Sequence, residues 1–424
     1  MAQISVARQD SILYTHKLKA SSLYNLMLAL VYVLFVPAFV TRIINIPMWT
    51  IVRLSMIFLV DVFVAIKSQR RLLSYKLSLL ISFFYLYFFV ITIIIEPSEL
   101  LNCFIRTITA FSCVFYTEYI FVKYKAQRSI GILLLAFEIF NYLNFLAMLR
   151  YPYGMYRVVT AGNMETLVPV TSGYTRQYGR VVWLLGHQTN LNRFTLPAIS
   201  LAIIHSSHES TKTKIKLNLR SISLIVCCAI ETYIANSAMN YIVFAIFLAM
   251  LILSKLYGRI KLWHIVAAIV LIYSFLIIGT DSLLGFSWIS KYLGREVTLM
   301  TRLPIWINSL DYFRQSPLFG HGFINEESTA IRNILGLGNP HSAYLWVLVE
   351  GGIIGAVGFS YIVFYVTKPF RRVENGTIKR VIISAFVALI MSMITDDHIF
   401  RSQISLIIFF LCYYSPRLEK AVNK

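Results

Sequence analysis

The chain has 424 residues, 58% of them hydrophobic and only 14% charged, with a mean hydropathy of +0.70. A soluble domain is about half apolar and roughly a quarter charged, so this composition excludes a water-soluble globular protein and indicates an integral membrane protein. The net charge of +20 does not mark a nucleic-acid binder, because the lysines and arginines fall in short clusters between apolar runs instead of on one basic face.

The N-terminus is polar and mildly basic up to Ser22 and apolar from Leu23 to Val40. That run is too long for a signal-peptide core and no small-x-small cleavage site follows it, so it reads as a retained first span. A helix needs about 20 apolar residues to cross the hydrocarbon. Twelve candidates follow in order, at 23–40, 49–66, 77–95, 101–122, 130–149, 192–205, 221–235, 241–256, 262–279, 342–366, 380–395 and 402–414, the sixth and the last being short. A count of eleven to thirteen is expected. Barrel strands would alternate every second residue, whereas these runs are apolar throughout. The expectation is therefore an all-α integral membrane protein, with residues 1–424 forming a single polytopic domain. All five cysteines sit inside apolar runs without zinc or C-x-x-C spacing and read as small core residues.

Basic residues orient the spans. With a cytoplasmic N-terminus, 25 of the 39 lysines and arginines fall in cytoplasmic segments, and both termini are cytoplasmic. The other fourteen are thirteen arginines and Lys291. Topology does not ask for that bias. Guanidinium is always charged and bidentate toward phosphate and carboxylate, so the outer face reads as built to hold an anion. The competing reading pairs these arginines with outer carboxylates such as Glu165, Glu296 and Asp311.

Two outer loops are long, at 150–191 and 280–340, and loops of that length in a compact protein are usually functional or disordered. Their aromatics, glycines and prolines predict order. No internal repeat is visible, which weakens a transporter reading.

In the second long loop, TRLPIWINSLDYFRQSPLFGHGF runs from Thr301 to Phe323. Thr301 is a candidate cap, Pro304 suits a first turn, and Ile305, Trp306, Leu310 and Phe313 follow helical spacing. The residue before Pro317 disfavours helix, so the helix should end near Gln315. Such an amphipathic helix suits the membrane interface. Arg302 would then lie in its first turn, where free N–H groups also favour an anion. Further on, Asn339 reads as an N-cap and Pro340 as the first helical residue. His341 then falls in the first turn of the tenth span, where the positive helix end keeps its imidazole neutral and able to accept a proton. The alternative is a histidine hydrogen-bonded at a helix start. Gly351 and Gly355 form a small-xxx-small face for close helix packing.

The stretch YGRVVWLLGHQTN, Tyr178 to Asn190, brings Arg180, His187 and Asn190 to the same outer face. Asp396, Asp397 and His398 form an outer turn that reads as a helix connection more than a metal site. Arg106, one turn into the fourth span, either snorkels or points inward. No nucleotide, serine-hydrolase or zinc-protease motif is present, so an enzyme here needs a membrane-embedded activated donor.

The pair TRLPIWINSLDYFRQSPLFGHGF and NPHSAYLWVLVEGGIIG, with GHQTN upstream, resembles the superfamily of O-antigen ligases and bacterial polysaccharide polymerases of the Wzy type. The close resemblance covers residues 178–190 and 301–358. It implies a GT-C-like, metal-independent glycosyltransferase of the bacterial cytoplasmic membrane that needs no cofactor and uses undecaprenyl-diphosphate-linked oligosaccharide. It makes His341 the counterpart of the family's essential histidine, and Arg302 and Arg180 the counterparts of arginines near the diphosphate. One departure stands out. Where many members carry Ser-Arg-Gly after the seventh span, this chain has ANSAMN, Ala235 to Asn240, with no arginine. Arg106 and Arg193 are the candidate substitutes. His187, Asn190, Trp306, His321 and Tyr344 complete the candidate substrate contacts. The implied partners are the lipid-linked oligosaccharide and membrane lipids, with a chain-length regulator left open.

On this reading arginines stabilise the departing diphosphate and His341 accepts the acceptor hydroxyl's proton. The motifs serve a polymerase, which joins repeat units, and a ligase, which moves the finished chain to another acceptor. A transporter or flippase for lipid-linked sugars would spread polar residues through the membrane depth, whereas here they gather at the outer end.

Overall fold

The computed structural model describes residues 22–36, 39–41, 48–68, 71–161, 164–169, 180–207, 217–253, 296–325, 328–335, 340–374, 376–396 and 403–422, with isolated positions between 264 and 274. Of the ninth expected span, 262–279, most lies outside the described residues.

Apolar runs become helices at nearly the expected bounds. These are α1 (Ser22–Phe35), α2 (Trp49–Lys67), α3 (Lys76–Ile95), α4 (Leu100–Lys123) and α5 (Ala126–Arg150). After the first long loop come α6 (Asn192–Ser207), α7 (Leu219–Ala235) and α8 (Ala238–Ile252). The second half holds α9 (Glu296–Gln315), α10 (Thr329–Leu335), α11 (Ala343–Thr367), α12 (Gly376–Ser392), α13 (Ile407–Tyr413) and α14 (Ser415–Val422). Among the described residues five helical stretches are long and apolar enough to cross a membrane: α2, α3, α4 with its leading turn from Pro97, α5, and α11 extended to Arg372. Helices α6, α7 and α12 have 16 or 17 residues, at or below the short end of the spanning range.

Helices α2 and α3 turn large apolar side chains outward, among them Phe58, Leu59, Ile66, Phe83 and Ile94. A surface this apolar fits lipid and not water. Inside, α4 packs on α2 and α3, α6 on α5 and α7, α12 on α6 and α8, and α11 on α3 and α9.

At each end of the bundle, side chains join segments that the basic residues assign to the same side. At one end Arg417 of α14 donates to the carbonyls of Phe121 and Tyr124, a cation on the free C-terminal carbonyls of α4. The Glu374 amide bonds to Glu419 there, at 2.7 Å. All three segments are among the basic ones. At the other end the Asn325 amide donates to Glu99, at 2.7 Å, and both belong to segments expected on the outer side.

The first long loop holds something the apolar patterning does not anticipate, a small antiparallel sheet in the order β2-β1-β3-β4. Its strands are β1 (Tyr156–Ala161), β2 (Met164–Pro169), β3 (Arg180–Trp183) and β4 (Gly186–His187), with Tyr156 opposite both Pro169 and Val182. The sheet is anchored to the bundle through the Trp183 indole, which donates to the Tyr151 carbonyl, and the Leu185 amide, which donates to Asn144.

Candidate active site

Helix α11 starts later than the sequence suggests. Its N-cap is Ser342 and its first residue Ala343. Asn339 lies outside the described residues, and His341 lies before the cap, not in the first turn. The reason is visible in the hydrogen bonds. The Ala343 amide, which would otherwise be free at the helix start, donates to the carbonyls of Met393 and Asp396 at 2.9 and 3.0 Å. The Ser342 hydroxyl also points to Met393. This clamp sets the chain leaving Pro340 at an angle, and His341 takes a left-handed backbone conformation with φ of 48°. Such a conformation is uncommon for a residue with a β-carbon and concentrates where surrounding structure enforces it for function. The His341 side chain is half-buried.

The turn that clamps α11 is tied to two further segments. The Asp396 carboxylate forms a buried ion pair with Arg193 at the start of α6, at 2.5 Å. Next to Asp396, the Thr395 hydroxyl meets the Met239 sulfur at 2.9 Å, and the Asn240 amide donates to the Gln188 carbonyl at 2.6 Å. Gln188 sits in the single turn His187–Asn190, where the His187 ring contacts the Thr189 hydroxyl and amide. Four segments expected on the outer side, around 187–193, 237–240, 341–343 and 393–396, are thus joined in one constellation. His341, His187, Asn190 and Arg193 share it. Arg193 is held by a carboxylate, so its charge is already balanced within the protein. The Asp396 turn, read from sequence as a plain connection, is the centre of the constellation; Asp397 and His398 lie outside the described residues. Among the described residues no three His, Cys, Asp or Glu side chains are grouped to hold a metal ion.

A second constellation lies about 10 Å further along α11, seven residues at 1.5 Å each. Helix α9 begins at Glu296, not Thr301, so Pro304 is inside it and Arg302 is past its first turn. The helix-start anion site expected for Arg302 is therefore corrected. Its end at Gln315 is as expected, and Ile305, Trp306, Leu310 and Phe313 are buried. The side chains of Arg302 and Arg180 lie outside the described residues. The backbone puts the first on α9, which packs on α11, and the second on β3, which packs against the His187–Asn190 turn.

Beyond α9, the loop Pro317–Ile324 is spliced into α11. Helix α11 is broken at Gly352, with φ of 62°. The carbonyls of Val349 and Glu350 accept from His321 and Gly322, at 2.8 and 2.9 Å. The displaced amides of Ile353 and Ile354 donate to the carbonyls of Pro317 and Leu318, at 2.8 and 3.2 Å. The α11 ladder loses two bonds and the loop supplies four, so the broken backbone stays satisfied. A β-carbon on Gly352 would strike the Leu318 carbonyl, and one on Gly320 the Glu350 backbone. The glycines of the two motifs are thus two halves of one joint. Gly351 and Gly355 do pack closely, against Phe88 and Tyr87 of α3, but Gly352 is the residue the joint depends on.

Arg106 points inward at this joint. Its guanidinium faces the Glu350 carboxylate with two contacts of 2.9 Å and lies over the Phe323 ring at 4.4 Å. Glu350 also accepts the Ile324 amide at 2.9 Å. His321 stacks on Tyr312, rings 3.7 Å apart, with its Nε2 2.7 Å from the Tyr312 carbonyl. Burial pulls the His321 imidazole below its ordinary pKa, with the carbonyl partly offsetting this. Tyr344 is fully buried, its hydroxyl donating to the Ile390 carbonyl, which is a packing role. Glu350 and Asp396, the carboxylates at the centre of the two constellations, are the residues that sequence reasoning underrated. For Glu350 the signal available was a carboxylate inside an apolar run, whereas Asp396 sits in the turn just after one.

Residues 222–360 match the family described as O-Antigen ligase. The matched stretch runs from α7 into α11 and takes in both halves of the joint and His341, so the resemblance drawn from the motifs holds over it. No curated protein matches the chain.

Proposed function

We propose that this chain is a polysaccharide polymerase, an inverting glycosyltransferase that joins undecaprenyl-diphosphate-linked oligosaccharide repeat units at the outer face of the cytoplasmic membrane, without metal or other cofactor. The acceptor sugar hydroxyl attacks the anomeric carbon of the donor. The bond from that carbon to the diphosphate oxygen breaks, the electron pair leaves with the diphosphate, and the hydroxyl proton passes to His341. Arg302 and Arg180 carry the positive charge that favours the departing diphosphate. Arg106 and Arg193, each already facing a buried carboxylate, are left out of that role. The observation that carries the reading is the backbone of His341, held in a left-handed conformation next to the Met393–Asp396 clamp and within residues 222–360, the stretch that matches the O-antigen ligase family. A general base contributes on the order of a hundredfold or more.

The name of the matched family supports a second reading, a ligase that moves the completed glycan to a different acceptor. Acceptor choice separates the two. Purified protein given only a lipid-linked repeat unit, with neither nucleotide nor metal, is expected to form a ladder of products. A ligase leaves that substrate unextended and transfers it once when a lipid A core acceptor is added.

A further inference from the structure

We propose that Glu350 is a positioning residue for this transferase, anchoring the loop after α9 through the Ile324 amide, and that Arg106 balances the charge of Glu350 instead of touching the diphosphate. The inference rests on the functional reading above. Its basis is the arrangement at the joint. One oxygen of Glu350 accepts from both Arg106 of α4 and the backbone amide of Ile324. The same guanidinium covers the Phe323 ring. The loop is thereby pinned to a fully buried carboxylate at the helix break, and this loop leads directly out of α9, which carries Arg302. Helix α11, whose first residue follows the His341–Ser342 pair, is the other side of the joint. The distance between the proposed base and the proposed diphosphate ligand therefore depends on how the loop seats against Glu350.

Paired charges at this depth are not required for stability. Replacing a buried ion pair by neutral groups of similar volume is often tolerated, while removing one partner strands a buried charge. The exchange worth making is therefore a double one. In Arg106→Met with Glu350→Gln, no charge is stranded and the Gln oxygen still accepts the Ile324 amide. In Arg106→Met with Glu350→Leu, the pair is equally neutral, but the Ile324 amide loses its acceptor. The two variants differ in the loop anchor and not in the arginine.

The test uses the full-length chain in lipid nanodiscs, with two readouts. Amide hydrogen exchange at Ile324 reports the anchor and needs no turnover. Ladder formation from a lipid-linked repeat unit reports the reaction. The expected result is that the Gln double variant keeps slow exchange and polymerises within a few-fold of the wild type. The Leu double variant should remain folded, exchange quickly at Ile324, and lose turnover on the order of a hundredfold, the cost that misplacement by about an ångström can carry. A folded Gln double variant that has lost turnover would overturn the proposal, because Arg106 would then be touching substrate. Equal turnover in the two double variants would overturn it as well, since the anchor would not matter. If the wild-type protein forms no product while exchange behaves as described, the joint stands and the functional reading fails.

Discussion

The amide of His321 bonds to the carbonyl of Val349 at 2.8 Å, in the place that the Ile353 amide would occupy in an unbroken helix. A surface loop thereby completes the backbone of a membrane-embedded helix. In hydrocarbon an unpaired peptide group costs several kcal/mol, so the helix break and the loop require each other. Their sequence motifs, PLFGHG and EGG, have 27 residues between them, yet they form one structural unit.

Gly352→Ala should therefore be among the most damaging single-methyl additions in the chain. It forces a β-carbon into an extended positive-φ conformation that essentially only glycine adopts, at roughly 1–3 kcal/mol, and drives it into the Leu318 carbonyl as well. Gly355→Ala meets the Val347 carbonyl at only 3.3 Å and should cost much less. Thermal unfolding in detergent, followed by intrinsic fluorescence, compares them. Similar midpoints for the two variants would contradict the joint.

The Arg193–Asp396 pair holds the turn that clamps the start of α11. Asp396→Asn leaves a buried guanidinium facing a neutral amide, and breaking a buried pair in this way typically costs about 3–5 kcal/mol. Arg193→Met with Asp396→Asn removes the stranded charge and should recover much of that loss. A double-mutant cycle on unfolding free energy measures the coupling. Additive effects would show that the two residues do not interact.

His321 makes the joint sensitive to acid. Its folded-state pKa lies below the ordinary value near 6.5, mainly through burial. The unfolded chain therefore binds the proton more readily than the folded one. This contribution to stability is fully present above about pH 6.5 and falls as the pH drops below it toward the depressed folded value. Unfolding midpoints should decline between pH 7.5 and 5.5 in the wild type and less in His321→Phe, which retains a ring to stack on Tyr312. An identical pH slope in the two proteins would remove His321 as the source.

Much of this was readable from hydropathy. Helices α2 to α5 and α11 start and end within a few residues of the apolar runs, because burial and lipid contact both demand unbroken apolar sequence there. The sheet between α5 and α6 escaped notice because its strands are short and lie in a loop of mixed polar and apolar residues without a sustained alternation. Gly162-Asn163 between two extended stretches was the local hairpin signal. The start of α11 was misjudged for a different reason. Asn339-Pro340 is a sound local helix-start pattern, but the carbonyls of Met393 and Asp396 capture the Ala343 amide from far along the chain. No local rule contains that bond. Arg106 and Arg193 were both candidates for a missing substrate arginine. Their carboxylate partners, Glu350 and Asp396, are 244 and 203 residues away in sequence, so only the fold reveals that both are engaged.

The measurement that bears most directly on the account is turnover of a lipid-linked repeat unit by purified His341→Ala and His341→Gln proteins of wild-type thermal stability. If His341 is the base beside the clamp, both variants lose the product ladder by about a hundredfold or more, and the amide of the Gln variant does not restore it. Recovery in the Gln variant would make His341 a phosphate ligand. An undiminished ladder in the Ala variant would contradict the assignment of this constellation as the reaction centre.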